Sequence, residues 1–141
     1  MNTVLIILAS ITWILCGLIW TIQLVHYPLF KYVGQEQFRT YHAHHAWTIS
    51  WLVIPLMLLE VVLTGWLFIA GERHVLFLLS LLGLALIWLS TWRHQLQCHL
   101  QLSRGFDMAV YRRLVRTNWW RTLGWTFRGL CLVGLVVLRF H

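Results

Sequence analysis

Histidines are the residues in this chain whose type and spacing most readily suggest chemistry. Eight occur among the 141 residues. Six of them lie near the ends of long apolar runs: His26, His42, His44, His45, His94 and His99. Imidazole is the commonest metal ligand in proteins, and iron, zinc and copper all accept it. The grouping therefore suggests a site for a transition metal, iron above all, or for haem.

The spacing of these histidines selects four candidate ligands. His42 and His45 stand three residues apart, so a helix would present both on one face. His94 and His99 are five apart, about 140° around a helix, so we expect that they do not both face one centre. The sequence predicts a centre supplied by three segments: His26, His42, His45 and His94. The alternative is that each histidine merely hydrogen-bonds to lipid headgroups, loop carbonyls or nearby glutamines.

Glu60 and Arg128 are the two charges that lie deep within apolar runs, at similar depth and with opposite sign. An ionisable side chain at mid-membrane costs at least ~2.5 kcal/mol unless it is paired or faces a cavity. The sequence therefore predicts an ion pair between two helices. Such a pair could simply fix the packing of the helices, or it could form the floor of a substrate or proton site.

Residues 111–122 are the densest polar segment of the chain. Three of its arginines are suited to anionic lipid headgroups: Arg112, Arg113 and Arg116. Asn118 and Arg121 stand where the last apolar run begins, so they are candidates for binding the polar groups of a substrate. Asn118 could instead cap a helix.

Four apolar runs must position these residues, at about residues 3–26, 47–70, 75–100 and 119–138. At ~1.5 Å per residue, such runs cross the ~30 Å hydrocarbon core of a bilayer. The residue before a proline disfavours helix, so Pro28 is predicted to end the first span. Residues 108–116 are predicted to form a short interfacial helix. The prediction is an all-α integral membrane four-helix bundle, one domain, with short interfacial helices in the cytoplasmic loops.

Composition supports a membrane protein. Hydrophobic residues make up 60% of the chain and charged residues 11%, against roughly 25% charged in soluble domains. The basic residues that give the chain its formal charge of +7 lie beside apolar runs. Anionic lipids rather than nucleic acid are therefore the expected partners. The three cysteines form no CxxC pair, and no disulfide framework is expected. The first run is expected to be a retained helix rather than a cleaved signal peptide.

Basic residues are distributed unevenly between the two faces that these runs define. Eight lie beside the first and third connections: Lys31, Arg39, Arg93, Arg104, Arg112, Arg113, Arg116 and Arg121. The other face has only Arg73 and Arg139. The positive-inside rule predicts that the long loops are cytoplasmic, in an inner (cytoplasmic) membrane, with both termini on the non-cytoplasmic side. His74 and His141 then fall on the far side, apart from the other histidines.

Two strings support a resemblance to known membrane proteins. The first run contains tryptophan and ends in His26-Tyr27-Pro28-Leu29-Phe30, and Tyr111-Arg112 and Asn118 precede the last run. This layout resembles small four-helix membrane oxidoreductases, the HemJ-type protoporphyrinogen oxidases and the anthrone-oxygenase-like proteins. In the HemJ-type family a histidine near the end of the first helix is associated with haem, and the resemblance implies that His26 is its counterpart. The arginine-rich pattern around Asn118 departs from that family.

The resulting prediction is a metal- or haem-dependent membrane oxidoreductase that acts on a hydrophobic small molecule or lipid in a cytoplasm-facing pocket. Asn118 and Arg121 would bind polar groups of the substrate, and Glu60 with Arg128 would form the floor. One alternative is a non-enzymatic subunit that binds or transports a small molecule or ion through the Glu60–Arg128 pair. Another is a structural subunit of a membrane complex. Transport through so short a chain would require a homo-oligomer.

Overall fold

The protein, described over residues 1–140 by a computed structural model, consists of four long helices, and this part of the chain contains no strand. Helix α1 is Asn2–Tyr32, α2 is Gln35–Ile69, α3 is Val75–Leu102 and α4 is Met108–Phe140. Each helix is long and apolar enough to cross a membrane. The predicted all-helical architecture with four long apolar helices is thus confirmed for the described residues, and His141 lies outside them.

Helix α1 does not end at Pro28, and this part of the prediction is wrong. Ile22–His26 form a π-helical turn, and helical turns continue through Pro28 to Tyr32. A proline ring crowds the carbonyl of the residue four positions earlier, and a π turn is a known local change in helix geometry that can take up such crowding. The helix ends at Tyr32, because the backbone of the next residue, Val33, is extended (φ −76°, ψ 129°). His26 is therefore held by a helix and not by a loop.

Residues 108–116 do not form the separate interfacial helix that was predicted, because they are the first turns of α4. The buried residues of α4 show why. They recur every three or four positions along its whole length: Leu114, Asn118, Arg121, Trp125, Arg128, Leu132 and Leu135. One continuous buried stripe favours one continuous helix, and no proline interrupts it. In the same way α2 begins at Gln35, well before its apolar run, so that His42 and His45 lie in its first turns.

Helix α3 extends beyond its apolar run, as predicted, and ends shortly before Gly105, which has a positive φ of 146°. The turn between α2 and α3 is short and contains Gly71 with φ 92°. The backbone N–H of Leu76 donates to Nδ1 of His74 over 3.2 Å, which caps the start of α3. The short turn makes α2 and α3 antiparallel neighbours in the chain.

The interior has two apolar clusters, one towards each end of the bundle. The cluster at the end that carries most histidines contains Ile19, Tyr27, Phe30, Phe38 and Trp125 among others. The cluster at the opposite end contains Leu5, Leu8, Leu67, Phe77, Leu132 and Leu135. Both clusters are flanked by a buried polar layer around Glu60 and Arg128. The fold thus places charge in the middle of an apolar bundle.

Two glycines allow α3 and α4 to pack closely. A Cβ atom on Gly83 would lie 2.9 Å from the carbonyl oxygen of Gly124 and 2.9 Å from Cβ of Arg128. A Cβ atom on Gly124 would lie 2.9 Å from Cγ1 of Ile87. Small residues at helix crossings are typical of membrane bundles, where backbones approach closely. This crossing fixes the position of α4 and of its buried polar residues.

Candidate functional site

Three of the predicted histidine ligands surround one aromatic ring. The ring centroids of His26, His42 and His45 lie 5.5, 5.9 and 5.4 Å from that of Phe30. The rings of His26 and His45 are 4.1 Å apart. Helix α1 supplies His26 and Phe30, and the first turns of α2 supply the other two. The structure therefore brings these three histidines together.

His99 joins this group, whereas the predicted ligand His94 does not. The Nε2 atom of His42 is 3.1 Å from Nδ1 of His99, and the Nε2 atom of His99 is 3.1 Å from the hydroxyl oxygen of Tyr27. His94 is half-buried on another side of α3, and its buried Nδ1 has no hydrogen-bond partner. This agrees with the expectation that His94 and His99 do not face one centre. The histidine that lies with the group is His99, whereas the sequence analysis selected His94.

A pattern in the sequence could have identified His99. Thr91, Gln95 and His99 recur at intervals of four, and all three line one cavity. The π-helical turn Thr91–Gln95 lies within this stretch, and such a turn changes which residues face the bundle. A helical-wheel count does not include this irregularity, and the prediction selected His94, whereas the interval of four residues from Gln95 indicates His99.

The histidine group leaves some nitrogen atoms without partners. Nε2 of His26 and Nδ1 of His42 are buried and have no hydrogen-bond partner. Among the residues that the structure describes, no three His, Cys, Asp or Glu side chains are arranged as ligands of one metal ion. A porphyrin needs fewer protein ligands, and the free Nε2 of His26 could supply one of them. The rings of His26 and His45 are only 4.1 Å apart and tilted by 31°, which leaves no room for a porphyrin between them.

A cavity of about 310 Å³ lies next to the histidine group and is lined by residues of all four helices. Its wall is mostly apolar and includes Ile22, Ile49, Val53, Ile54, Met57 and Leu96. The polar groups at this cavity are Tyr27, His45, Ser50, Thr91, Gln95, His99 and Arg121. A largely apolar cavity with a few convergent polar groups is the usual form of a small-molecule site.

Arg121 is the one arginine of this cavity, and it is more than nine-tenths buried. Its Nη1 donates to Oδ1 of Asn118 over 3.2 Å, and its guanidinium lies 5.1 Å from the ring centre of Trp125. Its buried Nε has no acceptor. The ion pairs among the described residues are Glu60–Arg128 and Glu72–Arg139. No carboxylate of the described residues therefore neutralises Arg121.

A layer of amides supports Arg121 from behind. Asn118 is fully buried and donates from Nδ2 to Oε1 of Gln23 over 2.8 Å. Gln23 in turn donates to the carbonyl of Val115 over 3.2 Å. Asn118 therefore positions Arg121, and it does not line the cavity as the sequence led us to expect. Gln23 had no predicted role, because nothing in its sequence neighbourhood indicates which way its side chain points.

Gln95 provides a second unmatched polar atom at the cavity. Its Nε2 donates to Thr117 Oγ1 over 3.0 Å, which fixes the orientation of the amide. Its Oε1 is buried and has no partner. Two residues that line the cavity, Arg121 and Gln95, therefore each carry a buried polar atom without a partner: the donor Nε of Arg121 and the acceptor Oε1 of Gln95. Buried polar groups in native proteins are nearly always hydrogen-bonded, so a ligand that satisfies both would remove an energetic cost.

The predicted Glu60–Arg128 ion pair is present, with Nε of Arg128 2.8 Å from Oε1 of Glu60 and both side chains fully buried. Glu60 also accepts from Thr12 Oγ1 at 2.7 Å and from Trp125 Nε1 at 3.3 Å. Arg128 also donates to the carbonyl and hydroxyl of Ser80 and to the hydroxyl of Thr64. The network joins all four helices and does not line the cavity, so the predicted position as its floor is wrong.

A second cavity, of about 720 Å³ and more open, lies on the other side of the histidines. It is lined by His26, Glu36, Gln37, Thr40, Tyr41, His44, His45 and Thr48. His45 lines both cavities. The histidine group therefore lies between an outer cleft, whose lining residues all carry a polar group, and the inner cavity.

Together these features define a class of protein: an all-helical bundle with four helices of membrane-spanning length, an interhelical cavity and a histidine group at its rim. No protein-family model matches the chain, and no curated protein or solved structure matches it.

Proposed function

We propose that the protein is an integral membrane protein that binds a hydrophobic small molecule in the inner cavity, with Arg121 on the polar group of that molecule. One observation carries the proposal: Arg121 lines the apolar cavity, and its buried guanidinium has no carboxylate partner among the described residues and an Nε–H without an acceptor. A charge buried at membrane depth is costly unless it is paired, and hydrogen bonds to a charged group are stronger than neutral ones. A ligand with a carboxylate or a quinone-type carbonyl would supply the missing partner.

The chemistry that we propose for the bound molecule is oxidoreduction with proton transfer. The contacts Tyr27–His99 and His99–His42 form a chain of groups that can each donate and accept a proton. Histidine and tyrosine commonly act as general acids and bases. Because Tyr27 and His99 both line the cavity, they could deliver a proton to a carbonyl oxygen of the ligand or remove one from a hydroxyl.

Electrons would require a redox group, and haem is the candidate that His26 favours. Its buried Nε2 is free of hydrogen bonds, and the resemblance to HemJ-type proteins implies the same residue. Haem would supply one-electron redox chemistry when bound. A site for a bare metal ion is less well supported, because the described residues offer no group of three ligands.

A spectrum and a metal analysis test the redox part of the proposal. Protein purified in mild detergent, with haem available during expression, should show a Soret band and bound iron. The variant His26→Phe should lose the band, whereas His94→Phe should keep it. A colourless wild-type preparation that contains less than about a tenth of an equivalent of iron would contradict the haem proposal without affecting the binding proposal.

Substitution of Arg121 tests the binding part. The wild-type protein in nanodiscs should bind hydrophobic carboxylates or quinones saturably. Arg121→Gln should weaken binding by about tenfold or more, the usual size of a lost hydrogen bond to a charged group, and Arg121→Lys should weaken it less. Arg112→Gln is the matched control, since Arg112 lies on the same helix but is exposed. Equal affinity of wild type and Arg121→Gln for every ligand tested would reject the proposal.

We also propose the membrane in which the protein lies and its orientation there. The excess of basic residues at the histidine-rich end favours an inner membrane with that end in the cytoplasm. The outer cleft would then open to the cytoplasm and the inner cavity would lie just below the membrane surface. Anionic lipids are the expected neighbours of the exposed arginines of α4.

A further inference from the structure

The cleft between α2 and α3 contains an apolar cavity in addition to the inner cavity that Arg121 lines. The apolar cavity has a volume of about 420 Å³ and is lined by Leu58, Val61, Leu81, Leu84, Ala85 and Trp88. No charged residue lines it. We call it the tail groove. It lies deeper along α2 than the inner cavity, whose last residue on that helix is Met57.

The tail groove continues the inner cavity along the same faces of both helices. On α2 the inner cavity is lined at residues 46, 50, 54 and 57, and the tail groove continues at 58 and 61. On α3 the tail groove is lined at 81, 85 and 88, and the inner cavity continues at 91, 95 and 99. Intervals of three or four residues keep side chains on one face of a helix. The two cavities therefore lie one after the other between the same two antiparallel helices.

The tail groove is open to the side that lipid chains would occupy. Leu58 is 53% exposed and Val61 is 38% exposed, and both are purely apolar. The stretch of α3 from residue 81 to residue 95 is about 21 Å long at ~1.5 Å per residue. The cleft thus offers a charged, buried end and an apolar, lipid-facing end at a separation that suits a long hydrocarbon chain.

We propose, as an extension that rests on the proposed function, that the ligand is a long-chain carboxylate that enters sideways from the bilayer between α2 and α3. Its carboxylate would lie at Arg121 and its hydrocarbon chain in the tail groove. Arg121 contributes one unpaired positive charge, which matches the single charge of a carboxylate better than the double charge of a phosphate monoester. A diacyl lipid has two hydrocarbon chains and would need a second groove. The tail groove is a single apolar groove, so a ligand with one chain fits it better.

The position of the chain, rather than its contribution to affinity, is the property to measure. A hydrocarbon chain in a bilayer already has an apolar environment, so its transfer into the groove brings little hydrophobic gain. Affinity should therefore depend on the head group, while the site of contact reveals the groove.

Two photoreactive hexadecanoates test the proposal on the full-length protein in phosphatidylcholine nanodiscs. One carries a diazirine near the carboxylate and the other near the methyl end, and the labelled residues are mapped by mass spectrometry. We expect the first probe to label the inner cavity, at Ser50, Ile54 or Met57, and the second to label Leu58 or Ala85. Unlabelled hexadecanoate should suppress both labels, and its neutral methyl ester should suppress neither.

Variants separate the head-group site from the tail groove. Arg121→Gln should reduce the suppressible labelling by both probes about tenfold. Ala85→Phe, which fills the tail groove, should displace only the label of the methyl-end probe. Leu82→Phe is the matched control, because Leu82 is 63% exposed on the same helix and lines a different cavity. If Arg121→Gln fails to fold, the wild-type protein still tests the role of the carboxylate, because hexadecanoate should suppress the labels and its methyl ester should not.

Different labelling results would overturn different parts of the proposal. If the methyl-end probe labels all lipid-facing positions alike, Leu82 included, and hexadecanoate does not compete, the probe merely samples bulk lipid and the groove is overturned. If the carboxylate-end probe remains competed and dependent on Arg121, the proposed function stands without the groove. If only neutral quinones bind through Arg121, the carboxylate class is overturned. If no ligand depends on Arg121, the proposed function itself fails.

Discussion

Nε of Arg128 donates to Oε1 of Glu60 over 2.8 Å at the centre of the bundle, where neither side chain has any exposed surface. Seven residues earlier on the same face of α4, Arg121 is also buried but has no carboxylate. Trp125 lies between them and contacts both environments, since it donates to Oε2 of Glu60 and lies under the guanidinium of Arg121. The described residues thus include two buried arginines, one neutralised by Glu60 and one without a carboxylate partner.

We expect the Glu60–Arg128 pair to stabilise the fold rather than to bind substrate. Glu60→Gln or Arg128→Met should each lower the free energy of unfolding by about 3–5 kcal/mol, because the remaining charge stays buried without its partner. The double variant should be less destabilised than the sum of the two. Unfolding in SDS followed by circular dichroism measures this.

Two controls sharpen that measurement. Glu36→Gln removes an exposed carboxylate from the start of α2 and should change stability by no more than about 0.5 kcal/mol. Ligand binding by the refolded Glu60→Gln protein should match wild type within a factor of a few. Loss of binding in a fully folded Glu60→Gln protein would instead support the alternative in which the pair carries the function.

The Gly83–Gly124 contact makes a second prediction about stability. Gly83→Ala should destabilise the bundle by about 1–3 kcal/mol, the usual cost of overpacking, because the new methyl group would lie 2.9 Å from a backbone carbonyl oxygen. Gly65→Ala is the matched control, since nothing lies within 4 Å of its added Cβ. That variant should be neutral or more stable by up to about 1 kcal/mol. Equal effects of both substitutions would contradict the close crossing of α3 and α4.

The contacts of His99 predict a difference between two histidines of α3. His99→Phe should cost about 1–3 kcal/mol, since it leaves buried polar groups of Tyr27 and His42 without a partner. His94→Phe should have little effect, because Nδ1 of His94 already lacks a hydrogen-bond partner. SDS unfolding of the two variants beside wild type provides the comparison. If His94→Phe is the more damaging of the two, His99 is not the inward-facing histidine of α3.

Depth in the membrane could be predicted from the sequence, whereas direction around a helix axis could not. Counting residues along apolar runs placed Glu60 and Arg128 at one level, and the ion pair followed from their opposite charges. The same count placed His26, His42 and His45 at a common level. It selected His94, whereas the structure places His99 beside His42, because the π turn at Thr91–Gln95 alters which residues face inward.

Helix ends were the other element that sequence reasoning misjudged. Pro28 and the polar composition of residues 108–116 both suggested boundaries, but the helices continue through them. In α4 the buried stripe that passes through Asn118, Arg121 and Trp125 favours continuity over the local change in polarity. The amide contact of Asn118 with Gln23 depends on how α1 and α4 pack, and no pattern within either segment indicates it.

Orientation in the membrane leads to the last prediction. Positive charge is retained on the cytoplasmic side during insertion, so the α3–α4 turn should be cytoplasmic and the α2–α3 turn should lie outside. A cysteine in place of exposed Arg73 should react with a membrane-impermeant maleimide on intact cells. A cysteine in place of exposed Ser103 should react only after the cells are permeabilised. The native cysteines 16, 98 and 131 are buried, so the unmodified chain should give little background. The reverse labelling pattern would place the outer cleft and its histidines on the opposite side of the membrane, and the inner cavity would then open away from the cytoplasm.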